Sequence, residues 1–149
     1  MAELRDLYQQ VILDHNRNPR HRGQPARHNH HAQGHNPLCG DHITIYVQVE
    51  DGVLRDVGFE GSGCAISTAS ASLMTGAVVG KTIAEAERLF HDFHAMVVDP
   101  AAPADTAKLG KLAAFAGVRG FPARVKCANL AWHTLRAALT TEGERVTTE

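Results

Sequence analysis

The segment from 42 to 64 reads HITIYVQVEDGVLRDVGFEGSGC, and it predicts the central element of the fold. Apolar and polar residues alternate from 42 to 50, which is typical of a strand with one buried face. Asp51-Gly52 is a strong signal for a hairpin turn. The alternation resumes with Val53, Arg55, Val57 and Phe59, with Leu54 breaking it, and Gly61-Ser62-Gly63 ends it. The segment therefore predicts two antiparallel strands.

Helices are predicted on both sides of this hairpin. The first helix is predicted from an amphipathic spacing of apolar residues, namely Leu4, Leu7, Tyr8, Val11 and Ile12. It should end near Asn18-Pro19, because proline disfavours helical geometry in the residue before it. Small side chains predict a second helix over 65–79, and the Thr82–Glu85 pattern is typical of a capping box that begins a third.

The second half of the chain is predicted to be helical. A linker over 99–103 precedes a short helix that Asp105 caps, and Pro122 suits the first turn of a final helix. Residues 19–38 are predicted to be a loop, and the polar tail from about 140 is predicted to be frayed. We therefore expect one α+β domain over 1–149, with a small antiparallel sheet of about three strands packed against helices.

Composition narrows the class of protein. The 149 residues are 44% hydrophobic, which is enough for a core, and the formal net charge of −1 argues against general affinity for nucleic acid or membrane surfaces. The N-terminal residues lack a signal-peptide pattern, and no apolar run approaches the ~18 residues of a membrane span. We expect a cytoplasmic protein with reduced cysteines.

Three cysteines in distinct local contexts are the main chemical signal of the sequence. Cys39 lies in a Pro/Gly turn with Asp41 two residues later, and Cys64 lies where a glycine-flanked turn enters a helix. Cys127 lies early in the last predicted helix. Three thiolates and a carboxylate form a four-ligand set for a metal ion, if the fold brings them together. The alternative for each cysteine alone is a small buried apolar residue.

Other sites are less favoured by the sequence. A cysteine–histidine hydrolase built on Cys64 lacks an identifiable carboxylate or amide partner. A cysteine phosphatase would need an arginine six residues after Cys64, where Ser70 stands. A histidine cluster in the Pro/Gly-rich segment could bind a transition metal, but a solvated loop is the preferred interpretation; its members are His28, His30, His31 and His35.

The sequence resembles the NifU-N/IscU/SufU family of iron–sulfur cluster assembly proteins over nearly its whole length. The matching motifs are LYQQVILDH at 7–15, NPR at 18–20, NPLCGD at 36–41, FEGSGCAISTASAS at 59–72 and VKCANLAW at 125–132. Within the family the chain looks like the SufU type, because Lys126 stands where scaffold-type members carry histidine. A longer stretch between the second and third cysteines, about 98–120, points the same way.

The resemblance implies a zinc ion bound by Cys39, Asp41, Cys64 and Cys127. It also implies a zinc-dependent sulfurtransferase that accepts persulfide sulfur from a SufS-type cysteine desulfurase, with a downstream assembly scaffold or apo-proteins as recipients. Cys39, on the most mobile segment, is the predicted sulfur acceptor, and Arg124 occupies the position of a SufU-type arginine near the metal.

The sequence is also compatible with two other functions. In the first, the same four residues hold a labile [2Fe–2S] cluster that the protein assembles and hands over. Iron–sulfur clusters prefer thiolate or thiolate–imidazole ligands, so Lys126 in place of histidine weakens this alternative. In the second, the zinc is purely structural.

Overall fold

The structure, a computed structural model, describes residues 2–37, 40–99, 101–102, 106–140 and 145–147. Its helices are α1 (Ala2–Arg17), α2 (Ala65–Val78), α3 (Ile83–Val98), α4 (Thr106–Leu109), a 3-10 helix (Gly110–Val118) and α5 (Pro122–Thr140). Its strands are β1 (His30–Asn36), β2 (Asp41–Glu50), β3 (Val53–Ser62) and β4 (Arg145–Thr147). Among the helices in these ranges, none has the length and apolar character needed to cross a membrane.

The sheet has the strand order β3-β2-β1-β4. The three long strands pair antiparallel, so the predicted α+β class and the sheet of about three strands are confirmed. The short β4 adds a parallel edge, with Gly34 opposite Val146. A frayed tail was predicted there; at 145–147 it is instead a strand, because β1 offers an unpaired edge to pair with.

The third long strand, β1, lies inside the segment predicted to be a loop, and that prediction is wrong for 30–36. Its core-facing residues are Ala32, Gly34 and Asn36, which are small or polar and therefore carry no apolar strand signal. Gly34 is required by packing: a Cβ there would lie 2.0 Å from Thr134 Oγ1 of α5. Because α5 packs so closely on β1, the buried face of β1 lacks large apolar residues, and the sequence pattern gives no strand signal there.

The hairpin of β2 and β3 forms where it was predicted, but its register contains a bulge. The pairing shifts between Gln48 and Val49, so Gln48 faces Asp56 and Val49 faces Leu54. As a result Leu54 is fully buried and Arg55 is exposed, the reverse of the predicted alternation. The extra residue in the bulge changes the face to which the following side chains point.

The helices form the other layer. α5 packs across β1 and β2, α2 packs against β3, and α1 lies on α2 and the 3-10 helix. The capping box is present, since Thr82 Oγ1 accepts the Glu85 N–H and Glu85 Oε1 accepts the Thr82 N–H. Trp132 is fully buried with its ring stacked on Phe93 at 4.9 Å, in agreement with its predicted packing role.

The longer stretch between the second and third cysteines is part of the core. Phe115 of the 3-10 helix is fully buried, and its ring contacts Phe93 of α3 edge-on at 5.6 Å. The predicted cap Asp105 lies outside the described residues. A helix does follow it, although most of that helix is of the tighter 3-10 type.

Candidate metal centre

Three of the four predicted ligands converge in the structure. Asp41 begins β2, Cys64 immediately precedes α2, and Cys127 lies in the second turn of α5. One ligand atom from each lies within 4.8 Å of the other two. Residues that are distant in sequence therefore form one group where the sheet meets the ends of two helices.

Asp41 is held in place by the chain that carries Cys64. Its carboxylate is fully buried, and Oδ1 accepts the backbone N–H of Cys64 at 2.8 Å. Gly63 is in contact with the same carboxylate, since a Cβ there would lie 2.6 Å from Oδ1. Burying a carboxylate is costly unless it is hydrogen-bonded, so this contact with the Cys64 N–H stabilises the Asp41 side chain in its buried position.

Cys64 is the N-cap residue of α2. Its Sγ accepts the Ser67 N–H at 3.4 Å and lies 3.9 Å from Asp41 Oδ2. The pKa of the Cys64 thiol is lowered to about 6, first by a hydrogen bond with Cys127 and then by the backbone N–H groups of Ser67 and Ile66. Burial and the charge of Asp41 oppose this shift but do not cancel it, so the geometry favours a thiolate.

Cys127 is only 3% exposed, and the Asn36 side chain contacts it. The amide Nδ2 of Asn36 donates to Cys127 Sγ at 3.7 Å, and Asn36 is itself fully buried at the end of β1, opposite Asp41. Asn36 is a site residue that was not predicted from the sequence, although the family motif at 36–41 begins with it. Amide donors of this kind orient the ligands of a metal site and tune it without binding the ion themselves.

Cys39 lies outside the described residues, so its predicted place in the site remains a prediction. The residues on either side are described. Gly40 donates its N–H to the carbonyl of Asn36 at 2.8 Å, and its φ of 72° is left-handed, a geometry that glycine adopts without strain. The backbones of Asn36 and Gly40 are therefore held close together, and Cys39 directly precedes Gly40 in the sequence.

Arg124 and the two cysteines all influence Tyr8, a residue that the sequence places on a helix face and in the family motif at 7–15. Burial raises the pKa of Tyr8, the charges of Cys64 and Cys127 raise it further, and a hydrogen bond and charge from Arg124 oppose them. The Arg124 guanidinium also lies 4.6 Å above the Phe121 ring. Tyr8 and Arg124 thus contribute a phenol and a cation to the surroundings of the two thiols.

The four clustered histidines do not form a metal site of three or more ligands among the residues described. His35 stacks on His42 at 4.1 Å, while His28 and His31 contact the Tyr46 ring. His30 lies 3.0 Å, through Nδ1, from the carbonyl of Ala138. Contrary to the predicted solvated loop, three of the four are strand residues of β1.

The donor set fits a tetrahedral metal ion. Zinc binds thiolate at about 2.3 Å and carboxylate at about 2.0–2.2 Å, so neighbouring ligand atoms stand roughly 3.6–3.8 Å apart. The observed 3.9 Å between Cys64 Sγ and Asp41 Oδ2 is close to that separation. Separations of up to 4.8 Å across the group would need to close by only about 1 Å.

This fold and the largely buried group of Asp41, Cys64 and Cys127 define a small α+β domain with a candidate metal centre. Residues 7–128 match the family described as NifU-like N terminal domain, and the chain belongs to this family of iron–sulfur cluster assembly proteins. The resemblance seen in its motifs is thereby confirmed.

Individual relatives cover most of the chain. It is 42% identical to the iron–sulfur cluster assembly scaffold protein IscU of Streptococcus pyogenes serotype M1, over 93% of this chain and 86% of the relative. It is 40% identical to the zinc-dependent sulfurtransferase SufU of Bacillus subtilis strain 168, over 95% of both chains.

A solved structure also resembles this chain. A proposed iron–sulfur cluster assembly scaffold protein for the SUF system, from Fervidobacterium islandicum AW-1, is 34% identical and superimposes with a TM-score of 0.82. The match covers 91% of this chain and 98% of that one. The SufU type predicted from the sequence is therefore supported by both a sequence relative and a structure.

Proposed function

We propose that this protein is a zinc-dependent sulfurtransferase that takes persulfide sulfur from a SufS-type cysteine desulfurase for iron–sulfur cluster assembly. The observation that carries the proposal is the convergence of Asp41, Cys64 and Cys127. Cys39 stands two residues before Asp41 in the sequence. The likeness to the sulfurtransferase SufU over 95% of both chains supports it.

Cys39, Asp41, Cys64 and Cys127 would hold the zinc, which keeps its thiol ligands deprotonated at neutral pH when it is bound. The protein contributes the charge balance and the geometry. The Cys64 N–H fixes the buried Asp41 carboxylate, and Asn36 donates to the Cys127 sulfur. These two contacts would hold Asp41 and Cys127 in position while Cys39 reacts.

The transfer is a substitution at sulfur that requires no oxidant. The Cys39 thiolate attacks the outer sulfur of the desulfurase persulfide, a new S–S bond forms, and the old S–S bond breaks. The desulfurase cysteine leaves as a thiolate, and Cys39 carries the persulfide. Arg124, placed beside Tyr8 near the thiols, supplies a positive charge that favours the anionic attacking and leaving groups.

The test combines metal analysis with mass spectrometry. We expect one zinc per chain in protein purified without added metal, and a persulfide on Cys39 after incubation with desulfurase and cysteine. The Cys39→Ala variant should fold but accept no sulfur. A persulfide found on Cys64 or Cys127 in the wild-type protein, and never on Cys39, would assign the acceptor elsewhere.

A second function, that of a cluster scaffold, is favoured by the likeness to the scaffold protein IscU. In that case the purified protein would be brown, with iron and sulfide, and its cluster would transfer intact to an apo-ferredoxin. That result, together with desulfurase turnover unchanged by the protein, would overturn the sulfurtransferase proposal.

A further inference from the structure

A cavity of about 240 Å³ lies between the end of α1, the middle of α2 and the 3-10 helix. Its floor is apolar, formed by Leu73, Ala77, Leu109 and Leu112. None of Asp41, Cys64 and Cys127 lines it, so it is separate from the metal centre. The residues around it include His15 and Arg20 of the N-terminal family motifs, which the proposed function does not use.

Hydrogen bonds fix the polar side of this cavity. Ser72 Oγ accepts the backbone N–H of Arg20 at 2.8 Å and lies 2.7 Å from Nδ1 of the buried His15. If the Ser72 hydroxyl donates to His15 Nδ1, the neutral imidazole carries its hydrogen on Nε2. His21 is held in a similar way, with Nδ1 3.1 Å from Thr75 Oγ1.

The ionisable residues that line the cavity are basic. Four basic residues line it, namely His15, Arg20, His21 and Lys111, and no aspartate or glutamate is among the lining residues. Asp14 pairs with Arg20 at 2.8 Å, and its carboxylate also interacts with the charge of Lys111, so it offsets part of this positive charge. Lys111 remains as an exposed cation at the rim. An anion would be stabilised there, and its charge would oppose the lowering of the His15 pKa by burial and by Arg20.

A glycine keeps the apolar part of the cavity open. Gly76 lies within α2, where glycine is less stable than alanine. A Cβ at Gly76 would meet nothing within 4 Å, so no neighbouring atom requires the glycine. By contrast, the glycines at 34 and 63 each stand against a side chain. The effect of glycine at 76 is to leave the cavity unfilled.

We propose that this cavity binds a small aliphatic carboxylate, with the carboxylate at the basic rim beside Lys111 and His15 and the alkyl part on the leucine floor. Charge complementarity selects the anion, and the apolar floor selects an alkyl chain over an inorganic anion. The carboxylate could belong to a free acid or to the end of a peptide, and both present the same groups to the cavity.

The test is a titration of the full chain with acetate, butyrate and hexanoate, followed by the imidazole NMR signals of His15 and His21 at constant pH and ionic strength. Affinity should rise along the series by up to about fourfold for each CH2 buried. Lys111→Gln should weaken hexanoate binding at least threefold, while Lys81→Gln, which removes a lysine outside the cavity, should not. Repeating the titration with a peptide ending in leucine distinguishes a chain terminus from a free acid.

A second variant tests the apolar floor. Gly76→Leu fills open space and replaces a helix glycine, so its melting temperature should equal or exceed that of the wild type while hexanoate binding is lost. The proposal is overturned if hexanoate leaves the His15 signals unmoved, or if Gly76→Leu binds hexanoate as tightly as the wild type. Inorganic phosphate binding more tightly than hexanoate would also overturn it.

Discussion

Gly63 stands where the Asp41 carboxylate leaves no space for a side chain. Because a Cβ at 63 would lie 2.6 Å from Oδ1, Gly63→Ala must push the carboxylate away from its hydrogen bond with the Cys64 N–H. We expect zinc affinity to fall by about 10- to 100-fold, measured by competition with a chelator. Gly76→Ala is the matched control, since its Cβ meets open space. Equal affinity in the two variants would contradict this role for Gly63.

The Asp41 side chain has two roles that substitution can separate. Asp41→Asn retains an oxygen that accepts the Cys64 N–H but loses the charge, so the fold should persist while zinc leaves for a chelator at least about tenfold faster. Asp41→Ala also leaves that N–H unpaired and should lower the melting temperature as well. Identical melting temperatures for the two variants would argue against the structural role of this hydrogen bond.

At the scale of elements, the contact between β1 and α5 positions two parts of the metal centre, because β1 carries Asn36 and α5 carries Cys127. Gly34→Ala places a Cβ 2.0 Å from Thr134 Oγ1, so the strand and the helix must separate. We expect a loss of about 1–3 kcal/mol in the free energy of unfolding, measured with urea. Adding Thr134→Ala removes the clashing oxygen and should recover part of the loss; additive effects would show that the two residues do not interact.

At the scale of the whole molecule, stability should depend on buried histidines. Burial, together with His94 and Arg136, lowers the pKa of His133 between α3 and α5, and burial lowers that of His15. Histidines of the unfolded chain have a pKa of about 6.5. Near and below that pH, the unfolded chain therefore binds more protons than the folded chain. The histidine contribution is complete above about pH 6.5 and is lost as the pH falls below it.

This pH dependence can be measured as the urea midpoint of metal-free protein from pH 7.5 to 5.5. His133→Phe should flatten the decrease, because the ring lies in an aromatic cluster with Phe90 and His94 and needs no charge there. His91→Gln, which removes an exposed histidine of α3, serves as the control. An unchanged slope in His133→Phe would exclude His133 as the source.

Much of the fold could be predicted from the sequence. The alternation over 42–50, the Asp51-Gly52 turn and the capping box at Thr82 are local signals, and all three appear in the structure. The strand β1 could not be predicted, because its buried face consists of Ala32, Gly34 and Asn36 and its partner helix is a hundred residues away. Leu54 broke the alternation at the position of the bulge, but a pattern with period two could not give the shifted register at Gln48 and Val49.

The sequence alone determined the chemistry of this protein, because the residue types and their motifs define the thiolate and carboxylate donors and the family. Only the tertiary structure decided the geometry of those donors. It brings Asp41, Cys64 and Cys127 within 4.8 Å, places the Asn36 amide on the Cys127 sulfur and brings Tyr8 under the charges of both the thiols and Arg124. The physical reason is that donor chemistry belongs to single residues, whereas distances between them depend on how closely the sheet and helices pack.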